Sequence, residues 1–125
     1  PILPNLVGVA SRAGMVYLVD TAEAKIVWEK DHNKGMFMGV QSVAFAKDGR
    51  RLASAGYDFK VKIWSVRTGR LLTTLSGHTD YCQQCVFTPD GSMLVSASGD
   101  RVLRYWDVSG SMWEELSEHE HLGGI

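Results

Sequence analysis

The sequence has no long apolar run, almost no net charge, and few cysteines or prolines. Its 125 residues include two cysteines and three prolines, and the formal net charge is -1. A membrane-spanning helix needs about 18 consecutive apolar residues, and the N-terminal PILPNLVGVA lacks the charged start of a signal peptide. Lys and Arg are scattered, so no basic stripe is available to neutralise phosphates. We therefore expect a globular protein that contacts no membrane and binds no nucleic acid directly.

The two cysteines, Cys82 and Cys85, have the spacing of a redox pair or of half a zinc site. They lie in YCQQCVF, which has the pattern of a strand, and residues three apart on a strand point to opposite faces. A shared metal or an internal disulfide is therefore unfavourable, and buried packing of free thiols is favoured. Free thiols suit a reducing compartment, so we expect an intracellular protein, cytoplasmic or nuclear.

Short β-branched runs separated by Gly, Asp and Ser recur along the chain, and helical periodicity is scarce, which predicts an all-β fold. The segment KDGRRLASAGYDFKVKIWSVRTGRLLTTLSGH aligns almost without gaps with PDGSMLVSASGDRVLRYWDVSGSMWEELSEH. The alignment places Asp58 opposite Asp100 and Trp64 opposite Trp106. A period of about 40 to 45 residues is typical of four-stranded propeller blades.

A weaker first copy, LVGVASRAGMVYLVDTAEAKIVWEKDH, has Val9, Ala13 and Val19 at the Ser, Asp and Trp positions. We expect one partial domain over residues 1–125, with about two and three-quarter antiparallel blades of a β-propeller. Its predicted parts are a divergent incomplete blade at 6–32, full blades at 40–76 and 82–117, and the start of a next repeat at 118–125.

The stretch GHTDYCQQCVFTPDGSMLVSASGDRVLRYWDV resembles a WD repeat of the β-transducin type. Its motif residues lie at the family's offsets: Gly77-His78, Pro89-Asp90-Gly91, Asp100 and Trp106-Asp107. The resemblance implies a β-propeller that acts as a non-catalytic scaffold for protein–protein interaction, with other proteins, or the rest of its own propeller, as partners.

Three blades cannot close a ring, and an open stack would expose an apolar face at each end. The chain also opens without a Met, inside a blade, so we expect a segment of a larger family member. The alternatives are a short chain that completes a propeller by self-association, a targeting or regulatory segment of a larger enzyme, and a nucleic-acid-associated propeller.

The resemblance also implies that a His, a Ser, an Asp and a Trp hydrogen-bond to one another within a blade. The two expected sets are His32, Ser54, Asp58 and Trp64, and His78, Ser96, Asp100 and Trp106. Ser, His and Asp are also the residue types of a hydrolase triad. The set occurs twice, and neither Ser lies in a G-x-S-x-G elbow, which favours a structural network. We therefore expect no enzyme activity, no catalytic residue and no cofactor.

A metal site near the C-terminus is the remaining chemical hypothesis. His119, His121 and the glutamates of residues 114–124 supply ligand types, but no third ligand of fixed spacing accompanies the two histidines. His119 also aligns with His78 of the network. We expect no bound metal.

Partners of the resembled family often dock at the turn before the network Asp and before the inner strands. The candidate partner-binding residues there are Arg12, Met36, Phe37, Met38, Tyr57, Thr79 and Tyr81. Aromatic, Met and Arg side chains commonly anchor interfaces, and NKGMFMG forms a longer loop than its counterpart TDY. The alternative is that Phe37 and Tyr81 cover the ends of a blade.

Overall fold

A computed structural model describes residues 5–32 and 39–109, together with the backbone of a strand at 114–120. The strands in these residues are β1 Leu6–Ala10, β2 Met15–Asp20, β3 Lys25–Asp31, β4 Val40–Phe45, β5 Arg51–Gly56, β6 Val61–Ser65, β7 Leu71–Leu75, β8 Cys82–Phe87, β9 Met93–Ser98, β10 Val102–Asp107 and β11 Glu114–Glu120. The described residues contain no helix, and therefore none that is long and apolar enough to cross a membrane. The predicted all-β fold is confirmed.

The strands form three antiparallel sheets in which sequence neighbours pair. We call them the first sheet (β1 to β3), the middle sheet (β4 to β7) and the last sheet (β8 to β11). The ladder between β10 and β11 extends to Val102, the first residue of β10, which pairs with Glu120. Residues 118–120, where the start of a next repeat is predicted, belong to the outer strand of the last sheet.

The two edges of the stacked sheets differ in what they carry. The turn after β5 and the connections between sheets meet at one edge, where Tyr57 N–H donates to Gly39 O at 2.9 Å. We call it the connection edge. The turns that precede β5 and follow β6 meet at the other, where Val66 N–H donates to Arg50 O at 3.0 Å. We call it the hairpin edge.

The core lies between the sheets. Between the first and middle sheets it is formed by Val16, Leu18, Val40, Leu52 and Val66. Between the middle and last sheets it is formed by Ala53, Ala55, Val61, Ile63, Leu75, Cys82, Cys85, Leu94, Trp106 and Val108. Residues 52–56 of β5 are all buried, because the middle sheet is covered on both faces.

The outer faces of the stack are apolar and open. A Cβ at Gly8 would meet Leu52 at 3.0 Å, so the alternate side chains of Val7 and Val9 point away from the middle sheet. Val7 and Val9 are 43% and 40% exposed. Val86, beside the buried Cys85, is 45% exposed on the far side of the last sheet.

Candidate functional site

The first predicted set of polar residues forms a hydrogen-bonded tetrad, which we call the first tetrad. Trp64 Nε1 donates to Ser54 Oγ at 2.9 Å, and Ser54 Oγ lies 2.7 Å from His32 Nδ1. His32 Nε2 lies 2.9 Å from Asp58 Oδ1. A Cβ at Gly56 would lie 2.8 Å from His32 Nε2, so the ring approaches the chain closely only because a glycine is there.

The second predicted set forms an equivalent arrangement, the second tetrad. Trp106 Nε1 donates to Ser96 Oγ at 2.9 Å, and Ser96 Oγ lies 2.7 Å from His78 Nε2. His78 Nδ1 lies 2.9 Å from Asp100 Oδ2, and the same oxygen accepts the Thr79 N–H at 2.9 Å. The structure therefore brings together all eight side chains of the two sets.

The donor and acceptor types order the protons within each tetrad. An indole N–H can only donate, so the serine oxygen accepts from it and the serine O–H donates to the imidazole. The other imidazole nitrogen then carries a proton, and this N–H donates a hydrogen bond to the aspartate. With a neutral histidine every one of these polar groups has a partner, which buried polar groups require. Ser54 and Ser96 are both 0% exposed, so neither hydroxyl is accessible to a substrate in this structure.

The tetrads cross from one sheet to the next, which corrects the expectation of a network within a blade. His32 directly follows β3 of the first sheet, while Ser54 and Asp58 belong to the middle sheet. His78 likewise follows β7, and its partners belong to the last sheet. The physical reason is that each histidine lies on the connection between an outer strand and the next inner strand. Each tetrad therefore fastens a connection to the sheet that follows it.

A buried cation, not predicted from the sequence, holds each connection. Lys62 Nζ donates to the carbonyl oxygen of His32, and Arg104 Nη2 donates to Gly77 O at 2.8 Å. Lys62 and Arg104 are both buried, and each lies two residues before the tryptophan of its sheet. That shared position in the two strong copies is the signal that could have identified them.

The tetrad carboxylates are more acidic than usual. Burial raises the pKa of Asp58, but the hydrogen bond from the His32 ring, the amide of Lys60 and the charge of Lys62 outweigh it, so the pKa is lowered. Burial likewise opposes ionisation of Asp100, while the Thr79 amide and the His78 ring lower its pKa overall. Both groups therefore favour the carboxylate form that the tetrad needs.

An exposed cluster of three aromatic rings, the aromatic patch, lies at the connection edge. The Tyr57 and Tyr81 rings stack with centroids 4.5 Å apart and planes 25° apart, and Phe59 lies 5.8 Å from Tyr81. Tyr57 is 36% exposed, Tyr81 is 45% exposed and Phe59 is 38% exposed. Phe59, which the sequence reasoning missed, has a φ of 72°, and Arg101 has the same left-handed backbone in the corresponding turn.

The other candidate partner residues differ in their placement. Arg12 is exposed in the turn after β1, and its backbone lies 3.4 Å from the Cβ position of Gly39, at the connection edge. Thr79 is exposed beside the second tetrad. Met36, Phe37 and Met38 lie outside the described residues.

The two cysteines are free and buried, but they share a face. A β-bulge between Cys82 and Gln84 adds a residue and restores Cys85 to the side of the middle sheet, contrary to the expected opposite faces. Burial raises the pKa of both thiols to about 12, so neither is a thiolate near neutral pH.

Metal ligands do not converge in the part of the chain that the structure describes. No group of three or more His, Cys, Asp or Glu side chains there could hold an ion. His119 pairs with Leu103 through the backbone, and His121 lies outside the described residues.

Face-to-face antiparallel sheets fastened by repeated polar tetrads are the architecture of β-propeller blades. The chain matches the WD40 family, described as WD domain, G-beta repeat, at residues 27–65 and 69–107. It belongs to this WD-repeat family.

Three relatives illustrate the extent of the similarity. The WD repeat and SOCS box-containing protein 1 of Danio rerio is 44% identical over 80 residues, which cover 62% of this chain and 19% of that protein. A WD repeat-containing protein of Synechocystis sp. is 34% identical over 113 residues, or 89% of this chain and 31% of that protein. The nuclear distribution protein PAC1 of Arthroderma benhamiae is 44% identical over 76 residues, which cover 58% of this chain and 16% of that protein. The chain spans less than a third of each of these relatives.

The matched repeats are offset from the sheets by one strand. The repeat at 27–65 begins in β3 and ends with β6, and the repeat at 69–107 begins before β7 and ends with β10. Each repeat therefore combines the outer strand of one sheet with three strands of the next. Each tetrad lies within one sequence repeat even though it joins two sheets.

Proposed function

We propose that the chain is part of a larger WD-repeat propeller that serves as a non-catalytic scaffold for protein–protein interaction, with the aromatic patch as a contact surface. WD-repeat domains generally mediate such interactions, and the chain contains two of these repeats. We also propose an intracellular location, since two buried free thiols suit a reducing compartment.

The observation that carries this proposal is the exposure of the aromatic patch. Its three rings pack on one another at the surface rather than in the core between the sheets. Aromatic rings bury much apolar area with little loss of side-chain freedom, so they frequently dominate binding energy. A partner that covers Tyr57 and Tyr81 would gain this area without rearranging the tetrads below them.

The geometry of the serines supports the absence of catalysis. Each Ser Oγ is buried in a strand and already accepts an indole N–H. A nucleophilic serine must instead present its hydroxyl to a substrate. The open apolar faces of the first and last sheets support the larger propeller, because further blades would cover them.

A comparison of two surface variants tests the contact surface. Proteins retained by the immobilised chain are identified by mass spectrometry for the unaltered chain, for the double variant Tyr57→Ala with Tyr81→Ala, and for the control Leu71→Ala. Leu71 is similarly exposed, at 37%, on an outer strand. We expect a specific partner to be lost from the double variant and kept by the control. Equal retention by all three chains would contradict the proposed surface.

A further inference from the structure

A cleft of about 760 Å³ opens between the first and middle sheets at the hairpin edge. Its floor is apolar and includes Leu6, Leu18, Val27 and Val66. The aromatic patch lies at the opposite edge, because β5 begins beside the cleft at Arg51 and ends beside Tyr57. The cleft is therefore separate from the contact surface proposed above.

At the corresponding junction between the middle and last sheets, one arginine bridges the two sheets. Arg51 Nη1 donates to Val108 O at 2.7 Å, and Nη2 donates to Gly91 O at 2.9 Å. The guanidinium also lies 5.0 Å from the centre of the Phe87 ring, at cation–π distance. It occupies part of the space between the two sheets, which keep a smaller pocket of about 200 Å³ between the turns that carry Asp48 and Asp90.

Leu6 takes the place of Arg51 in the first sheet. Leu6 pairs with Asp20 as Arg51 pairs with Ser65, at the same position of the ladder. A leucine has no donor for the neighbouring carbonyl groups. Val66 O, which corresponds to the Val108 O that Arg51 binds, instead accepts the indole N–H of Trp28 at 2.9 Å. The wider cleft therefore lies at the junction where leucine stands in place of the bridging arginine.

The rim of the cleft is predominantly positive. Lys25, Arg50 and Arg67 line it, and Asp20 is the one carboxylate among its lining residues. Lys25 Nζ lies 3.6 Å from Glu23 Oε1, so the two arginines supply most of the positive charge. That carboxylate already accepts the backbone N–H groups of Ala22 and Glu23, at 2.9 and 3.1 Å. Arg50 and Arg67 are exposed, so their guanidinium groups are accessible to an anionic ligand.

From the apolar floor and the cationic rim, we infer that the cleft binds an acidic peptide segment of a partner protein. One large apolar side chain of the segment enters between Leu6 and Val66, and flanking carboxylates face Arg50 and Arg67. Charge complementarity selects this occupant over a basic segment, which the rim would repel. The inference rests on the scaffold role proposed above, but it uses a different surface.

Short synthetic peptides test the inference on the whole 125-residue chain. Acetyl-Glu-Glu-Phe-Leu-Glu-Glu-amide is titrated while the methyl resonances of Leu6, Val27 and Val66 are followed by NMR. We expect saturable shifts of these resonances. The matched peptide acetyl-Lys-Lys-Phe-Leu-Lys-Lys-amide should bind at least about tenfold more weakly. No saturable shift with the acidic peptide, or equal binding of the two peptides, would overturn the inference.

Two variants localise the binding. Leu6→Trp fills the cleft with a larger uncharged side chain, and it should abolish the shifts of the Val27 and Val66 methyl resonances. Arg50→Glu, an exposed change that leaves the core intact, should weaken binding by about fivefold or more. The control Arg101→Glu makes the same charge change in a turn of the connection edge and should leave binding unchanged.

The outcomes separate this inference from the proposed function. Binding that survives both Leu6→Trp and Arg50→Glu but is lost with Tyr57→Ala and Tyr81→Ala would place the peptide on the aromatic patch and overturn the inference. Binding that is lost with the cleft variants alone would support it, whether or not the patch retains a partner.

Discussion

The serine hydroxyl is the pivot of each tetrad, because it accepts one hydrogen bond and donates another. Its partners on the two sides, an indole and an imidazole, come from different parts of the chain. Removal of any member leaves a buried donor or acceptor without its partner, which costs more than the bond itself contributes. The tetrad residues are therefore expected to affect stability far more than exposed neighbours do.

His78→Ala should destabilise the fold by about 1 to 3 kcal/mol, because it leaves Ser96 and Asp100 without their shared partner. Urea unfolding followed by tryptophan fluorescence measures the change. Thr79→Ala is the matched control, since Thr79 is exposed and meets Asp100 through its backbone N–H. An unchanged unfolding midpoint for His78→Ala would show that the second tetrad contributes no stability.

Acid should weaken the fold through the tetrad carboxylates. The pKa of Asp58 is lowered from its ordinary value of 3.8 in a setting that includes His32 and Lys62. At low pH the unfolded chain therefore binds more protons than the folded chain does. The stabilisation by the ionised Asp58 is complete above the pKa of the unfolded chain, and it is lost as the pH falls through the lower pKa of the folded chain. Unfolding free energies measured at a series of acidic pH values should fall less steeply for Asp58→Asn. Parallel curves for the variant and the unaltered chain would contradict this assignment.

The resemblance to the WD-repeat family identified the eight tetrad residues, and the internal alignment placed them in two copies. Lys62, Arg104 and Phe59 were not identified. A Lys or Arg side chain on a strand gives the same sequence pattern whether it extends into solvent or bends back to donate to a backbone carbonyl group. The outward placement of Phe59 follows from a left-handed turn residue that glycine more often supplies.

At the scale of elements, the strands of the middle sheet lie within residues 40–76, where a full blade is predicted, but the bulges do not follow from any residue type. Register shifts occur at Leu18/Val19, Ile63/Trp64 and Tyr105/Asp107, at corresponding places in the three sheets. A bulge exchanges the faces of all residues beyond it. A further bulge between Cys82 and Gln84 is the reason that a strict count of alternate residues places Cys82 and Cys85 on opposite faces.

Trp28 of β3 connects the first sheet to the middle sheet, so Trp28→Phe should loosen this junction. Trp28 Nε1 donates to Val66 O at 2.9 Å, and its ring lies 6.3 Å from that of Trp64. Phenylalanine keeps an aromatic contact and loses the donor, at a cost of about 1 kcal/mol. Hydrogen exchange of amides in β1 to β3 should accelerate about fivefold. Ile26→Ala, at an exposed position of the same strand, should have little effect, and equal acceleration in both variants would contradict the connecting role.

At the scale of the whole molecule, the stack is unequal: the middle sheet is covered on both faces, and its neighbours on one. This difference follows from the number of repeats and was predicted from them. The cleft at the hairpin edge was not predicted. Leu6 lines it where the next sheet has Arg51, and the weak alignment of the first copy gives no reason to single out that position.

The open faces should make the isolated chain associate as its concentration rises. Val7, Val9 and Ile26 present a contiguous apolar surface, and such surfaces favour contact with one another. Sedimentation velocity of the chain should show a rising weighted average mass, and Val7→Lys with Val9→Lys should reduce it. Leu71→Lys, an equally exposed change on the middle sheet, is the control. A chain that stays monomeric at every concentration would contradict this expectation, and one discrete multimer would favour ring closure by self-association.

The one-strand offset between repeat and sheet has a consequence for how such a chain grows in evolution. An in-frame duplication of one repeat inserts its copy within the hairpin that joins the third strand of a sheet to its outer strand. The inserted copy supplies a new outer strand to the interrupted sheet and three strands of a further sheet, with its own tetrad intact. Gene duplication can therefore lengthen the stack by whole sheets without ever copying a whole sheet.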